Sequence, residues 1–211
     1  KLKFMRELTN YGVIVLVTHG DALFHGMSES GYDWFHKGSQ EVLWSGQQVD
    51  CKHMLSHMTA CTGNGDCPLG SKCLTTSVTI EGKNRLVTKK HGICYDASQV
   101  DLMQGRAVMG PKNYAVTPEF IAHYGQGGHA RSLVYLGACR SMYNGTLAAA
   151  FMASGAQTVL GYNGYVTSKF ASSTGLKFFQ SMMESQERVG MAASQGAIDP
   201  IYHSRLMMFG S

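Results

Sequence analysis

The sequence predicts an α/β fold with a mostly parallel central sheet and a cysteine-rich insertion. Three observations carry that prediction. First, three apolar runs rich in β-branched residues occur at 13–17 (Val-Ile-Val-Leu-Val), 133–136 (Leu-Val-Tyr-Leu) and 158–160 (Thr-Val-Leu). None of them alternates with polar residues, which is how strands buried on both faces of a parallel sheet read. Second, a small-residue helical pattern at 145–155 separates the second and third runs, making a βαβ crossover that is expected to be right-handed. Third, residues 38–110 change character, becoming rich in Gly, Thr, Lys and Cys, and read as an insertion into the α/β domain.

In chain order, Leu2, Met5 and Leu8 recur at helical spacing and predict a short amphipathic helix before the first strand. Residues 78–87 form a hairpin candidate within the insertion. Asn144 reads as the N-cap of the crossover helix and Gly155 as its C-terminal stop. A longer helix is expected over 168–184, with Phe170, Phe178, Phe179, Met182 and Met183 facing inward, and 205–209 predict a last strand.

At 211 residues and 44% hydrophobic, the chain supports one good core. The formal charge of +4 is spread over few charged residues, with no Lys/Arg run of the kind that tracks phosphates, so nucleic acid is not an expected partner. No apolar stretch approaches the roughly 20 residues needed to cross a bilayer, so no membrane span is expected. Cysteine use is lopsided. Cys51, Cys61, Cys67, Cys73 and Cys94 crowd into the polar insertion, whereas Cys139 stands alone after an apolar run. The cluster points to disulfides and an oxidising, extracytoplasmic or secreted location.

Two of the predicted strands end in residues able to perform acyl transfer: Thr18-His19-Gly20 after the first, and Ala138-Cys139-Arg140-Ser141 after the second. Ligands of open parallel sheets bind beyond the carboxyl ends of the strands. If the two strands are neighbours, His19 faces Cys139 across that crevice, where imidazole assists thiol deprotonation and later protonates a leaving amine. Gly20 leaves room for a substrate backbone, and its N–H together with that of Cys139 is suited to an oxyanion. A helix starting soon after Cys139 would favour the thiolate through its N-terminal partial charge.

These residues resemble the caspase-like clan of cysteine peptidases, and within it the CHAT-type and gingipain-like branch. The resemblance rests on the apolar strand before His19-Gly20, the strand before Ala138-Cys139, the small-residue helix, Ser154-Gly155-Ala156 with the strand after it, and Asp199-Pro200-Ile201-Tyr202 before a final strand. It covers roughly 1–35 and 110–211. It implies a three-layer sandwich catalytic domain over 1–211, with the Cys-rich insertion at 38–110. It also implies an endopeptidase acting on protein or peptide substrates through a thioester on Cys139, with His19 as its partner, Gly20 at the oxyanion and no cofactor. A bacterial origin fits the branch. Asp21 and Arg140, beside the pair, are assigned to substrate binding. Where the branch often has an acidic specificity segment, this chain reads Gly164-Tyr165-Val166-Thr167-Ser168, so cleavage after basic residues is an analogy resting on Asp21, Glu29 and Asp33. The clan has two strands ahead of the one that ends in His-Gly, and ten residues here do not suffice for them. The expectation is therefore an upstream segment or chain that completes the sheet.

The insertion resembles small disulfide-stapled units of secreted bacterial proteins, with Cys61, Cys67, Cys73 and Cys94 in two bridges of open connectivity and Cys51 unpaired or linked elsewhere. A competing zinc reading uses Cys51, His53, His57 and Cys61 along one helix face. Asn144-Gly145-Thr146 is formally a glycosylation sequon but suits helix capping. His25, His36, His91, His123, His129 and His203 show no partner pattern and read as surface residues. Two other functions compete. One is an α/β-hydrolase with Cys139 as nucleophile and Asp199 and His203 as its partners. The other is an inactive peptidase fold serving as an adhesion module.

Overall fold

The structure, a computed structural model, describes residues 1–24, 39–50, 59–82, 85–126, 128, 131–194 and 198–210. Its centre is a four-stranded sheet of β1 (Val13–Val17), β9 (Leu133–Gly137), β10 (Thr158–Tyr162) and β11 (Leu206–Gly210), in the order β1-β9-β10-β11. β1, β9 and β10 run parallel and β11 closes the sheet antiparallel to β10. The mostly parallel sheet anticipated from the apolar runs is present.

The register positions the site. Val13 lies beside Leu133 and Val17 beside Gly137, so β1 and β9 end level with each other. Whatever follows Val17 therefore emerges next to whatever follows Gly137.

Alternate residues of these strands feed two cores. Ile14, Leu16, Val134 and Leu136 join Leu2 and Met5 of α1 (Leu2–Arg6), Leu102 of α2 (Ala97–Met103), Phe120 and Ile121 of α3 (Pro118–Tyr124), and Leu147 and Phe151 of α4 (Thr146–Ala153). Tyr135, Leu160 and Tyr162 join Ala171 and Phe178 of α5 (Ser168–Glu184) and Ala192 of α6 (Val189–Ser194). Neighbouring strand residues point to opposite faces, so β9 and β10 are covered on both. β1 departs from the expectation of full burial. Ile14 and Leu16 are buried, but Val13, Val15 and Val17 are 56%, 49% and 52% exposed, because β1 is the edge strand of the sheet.

The predicted helix over 168–184 has its expected bounds, and its buried stripe is Ala171, Thr174, Gly175 and Phe178. Gly175 gives room for the Tyr135 ring, since a Cβ there would lie 2.9 Å from it. Continuing the i, i+3, i+4, i+7 spacing reaches Met182, which is partly buried, and not Met183, which is 79% exposed. The inward position assigned to Met183 is thus corrected.

The region 38–110 divides in two. Its ends, β3 (Ser39–Gln48) and β7 (Ala107–Met109), join β2 (Gly20–Phe24) and β8 (Asn113–Val116) in an antiparallel sheet ordered β2-β3-β8-β7. Between them, β4 (Ala60–Cys61), β5 (Ser71–Gly82) and β6 (Arg85–Asp96) form a separate three-stranded sheet. The hairpin expected at 78–87 is the far end of the β5–β6 ladder. Two disulfides staple this sheet, Cys61–Cys73 and Cys67–Cys94. Gly92 sits under the first of them, where a Cβ would run into the Cys61 carbonyl and lie 2.6 Å from the Cys73 sulfur. A Cys61 held in a disulfide has no thiolate for a metal, so the zinc set loses that ligand; Cys51, His53 and His57 lie outside the described residues. Glu29, Asp33, His25, His36 and His129 lie outside them too, as does the side chain of His91.

Candidate active site

The level ends of β1 and β9 bring Thr18-His19-Gly20 against Ala138-Cys139-Arg140. His19 is then taken up by the second sheet. Trp44 N–H donates to the His19 carbonyl at 2.9 Å, and the Thr18 hydroxyl donates to the Trp44 carbonyl at 2.7 Å. That bond pattern makes Gly20–Leu43 a non-hydrogen-bonded pair of the β2–β3 ladder, so the Gly20 N–H points away from β3. Gly20 is buried against the Cys139 loop, where an added Cβ would collide with the Cys139 carbonyl oxygen and sit 3.0 Å from the Ala138 Cβ. Only glycine lets the two loops touch here.

Cys139 is a half-buried free thiol, and His19 is exposed. Among the described residues no hydrogen bond joins them directly. The Sγ lies 3.4 Å from both the carbonyl oxygen and the amide nitrogen of Val166, donating to one and accepting from the other. The turn after Cys139 is fixed by Ser141, whose buried hydroxyl donates to the carbonyls of Ala138 and Leu136 and accepts from the Tyr162 N–H. Ser141 is thereby committed to the backbone.

Two clefts meet at the pair. One, of about 600 Å³, runs between Val17, Gly137 and Ala171 and the rings of Tyr165 and Tyr202. The other, of about 620 Å³, lies between Gly20, Asp21, Trp44 and the turn at Pro111 and Lys112. Thr18, His19, Cys139 and Tyr165 line both. His19, Gly20 and Cys139, singled out on the sequence, are thus brought together at the ends of adjacent strands.

Asp21 and Arg140 find each other. The Arg140 guanidinium lies 3.2 Å from the Asp21 carboxylate and is stacked 4.2 Å from the Tyr165 ring centroid. Arg140 holds φ at +52°, a strained left-handed conformation for a non-glycine residue, and its N–H donates to Gly164 at 2.8 Å. It joins the loop after His19 to the loop after β10.

The helix expected to favour a thiolate is differently arranged. α4 begins at Thr146, with Gly145 and not Asn144 as its N-cap, at φ +80°. Its first amides are taken by a carboxylate from the second sheet: Asn144, Gly145 and Leu147 N–H all donate to Glu41 at 2.7 Å. The Thr146 hydroxyl donates to Glu41 as well, at 3.1 Å, and accepts from the Glu41 N–H at 2.9 Å. Glu41 is fully buried. The positive end of the helix therefore faces Glu41, and the local donor to the sulfur is the Val166 amide. Sequence inspection missed Glu41 because the residues it serves lie more than 100 positions away.

Asp199 is the second buried carboxylate near the site. It accepts from the Thr167 N–H and hydroxyl and from the Ile201 and Tyr202 N–H groups. Burial opposes its ionisation, but these four donors outweigh burial and hold its carboxyl below the ordinary aspartate range. Its work is to tie the Tyr202 turn to Thr167, the N-cap of α5, so that both walls of the first cleft are set by one group. His203 touches Asp199 only through the backbone, its N–H donating to the Asp199 carbonyl at 2.8 Å, and its side chain is exposed. Among the described residues no hydrogen bond joins the Asp199 carboxylate to the His203 imidazole, or either of them to Cys139.

Compared with protein-family models, with curated proteins and with solved structures, the chain has no significant match.

Proposed function

We propose that this chain carries the catalytic part of a cysteine endopeptidase of the caspase-like, three-layer type, acting outside the cytoplasm on protein or peptide substrates. The observation that carries the reading is the level pairing of β1 and β9, which delivers His19-Gly20 and Cys139 to one rim shared by two clefts. The sheet order β1-β9-β10-β11 with an antiparallel last strand, and the two disulfides, agree with it.

In this reading His19 removes the Cys139 proton and the thiolate attacks the scissile carbonyl carbon, forming a C–S bond. The oxyanion is received by the N–H groups of Gly20 and Cys139. Collapse breaks the C–N bond while the imidazolium gives its proton to the leaving amine. Water, deprotonated by the same imidazole, then hydrolyses the thioester. The missing direct bond between His19 and Cys139 is compatible with this, since catalytic hydrogen bonds commonly tighten only with substrate in place. The same reading has a further polypeptide segment pairing along the open edge of β1.

Cys139→Ala and His19→Ala are each expected to lower peptide cleavage by at least about a thousandfold with circular dichroism unchanged, since His19 is exposed and Cys139 sits only at the margin of the core. His203→Ala is expected to be nearly silent. Loss of cleavage in His203→Ala with retention in His19→Ala would replace the peptidase by the hydrolase.

A further inference from the structure

Resting on the peptidase reading, we infer that the cleft walled by Val17, Gly137, Val166, Ala171, Tyr165 and Tyr202 receives an uncharged substrate side chain, aliphatic or aromatic, on the acyl side of the scissile bond. The acyl residue is the one that becomes covalently attached to the Cys139 sulfur. That sulfur rests against the Val166 backbone, in the wall of this cleft. The side chain nearest the thioester therefore enters here.

Among the described residues, the lining contains no Asp, Glu, Lys or Arg. Besides apolar groups and the two phenol rings, whose centroids are 5.9 Å apart, it offers Thr18, Thr167 and Ser168 hydroxyls and the His19 imidazole. The Thr167 hydroxyl is already bonded to Asp199 and to the Phe170 N–H.

Among the described residues, the two carboxylates near the cleft are unavailable to a cationic substrate. Asp199 spends both its oxygens on four protein donors. Asp21 lines the other cleft and is paired with Arg140. That same pair occupies the Arg140 guanidinium, and no Arg among the described residues lines the cleft. A charge placed in this cleft would lose water without gaining a counter-ion, which is costly. An apolar side chain gains from the same desolvation. Mostly apolar walls with a few oriented polar groups are what such pockets use for neutral ligands. Gly137 keeps the floor open, because a Cβ there would press on Val17 and Tyr135 at 3.1 and 3.2 Å.

The test is a peptide library with the residue on the acyl side fixed in turn as Leu, Met, Phe, Tyr, Arg, Lys, Asp or Glu. The expected kcat/KM is at least tenfold higher for the four uncharged residues. A parallel arm measures binding of N-acetyl tripeptides ending in Leu, Phe, Arg or Asp to Cys139→Ala by calorimetry, with the same order expected. Ser168→Asp supplies the missing carboxylate on an exposed first-turn position where an acid suits the helix, and is expected to raise the Arg-to-Leu ratio at least tenfold.

Preferred cleavage after Arg, Lys, Asp or Glu would overturn the inference and leave the peptidase reading standing. An unchanged ratio in Ser168→Asp would also overturn it. Binding in the expected order without cleavage of any peptide would uphold the pocket and refute the peptidase. Absence of both would refute both.

Discussion

At the scale of single residues, the candidate site is held by groups that have no part in the proposed reaction. Glu41 satisfies three backbone amides and a hydroxyl at the start of α4, from a position on β3 only three residues before Trp44, which clamps the His19 carbonyl. One side chain thus links the strand that orients the histidine to the segment that follows the cysteine. Glu41→Gln retains the size but turns an amide nitrogen toward donors, leaving at least one of them buried without an acceptor. Each such group costs about 1–3 kcal/mol. The expected outcome is a lower urea midpoint with unchanged slope, and reduced turnover even well below the new midpoint. A variant as stable as the parent would show that the end of α4 is satisfied in some other way. That His19, Gly20 and Cys139 lie together was legible because each strand end leaves a local pattern, an apolar run followed by a polar or small residue. Glu41 and Val166 were not legible, since what they do depends on chain segments 103 and 27 residues distant.

At the scale of elements, the strands were read from burial, and the reading failed where burial is decided by neighbours. β9 and β10 have cores on both faces as their composition foretold, while β1, equally β-branched, has one face open because it lies at the edge. The end of the 168–184 helix was misjudged at Met183 for a related reason, apolar composition having been taken for an apolar stripe. The cysteine-rich sheet is the element least able to stand on packing. Between residues 60 and 96, only Cys61 and Cys94 are buried apolar residues among those described. Its bridges carry its stability, and closing loops of this size contributes about 2–4 kcal/mol each. A Cys67→Ser, Cys94→Ser double variant is therefore expected to lose amide-exchange protection across β5 and β6 while Cys139 stays reactive toward a peptidyl electrophile. Uniform loss of protection through β9 and β10 as well would show that the stapled sheet and the central sheet unfold as one unit.

At the scale of the whole molecule, the central sheet is asymmetric. One margin, β11, is a short antiparallel strand; the other, β1, is unpaired on its outer side among the described residues, and its outward residues, Val13, Val15 and Val17, are half exposed in a row. Edge strands of this kind recruit other strands unless charge, proline or a bulge blocks them, and β1 has none of these. A contiguous apolar surface beside it would aggravate the tendency. Residues 1–211 produced alone are accordingly expected to self-associate, with a mass in light scattering that rises with concentration. Val15→Lys places a charge in the middle of that face without touching Ile14 or Leu16, which point to the core, and is expected to restore a monomer while leaving the unfolding midpoint nearly unchanged. The same substitution should block any segment that pairs along β1, so a lysine that abolishes self-association should also weaken binding of such a segment supplied in trans. A parent chain that is monomeric at high concentration, with β1 amides well protected from exchange, would show that this edge is already covered and that no further strand is needed.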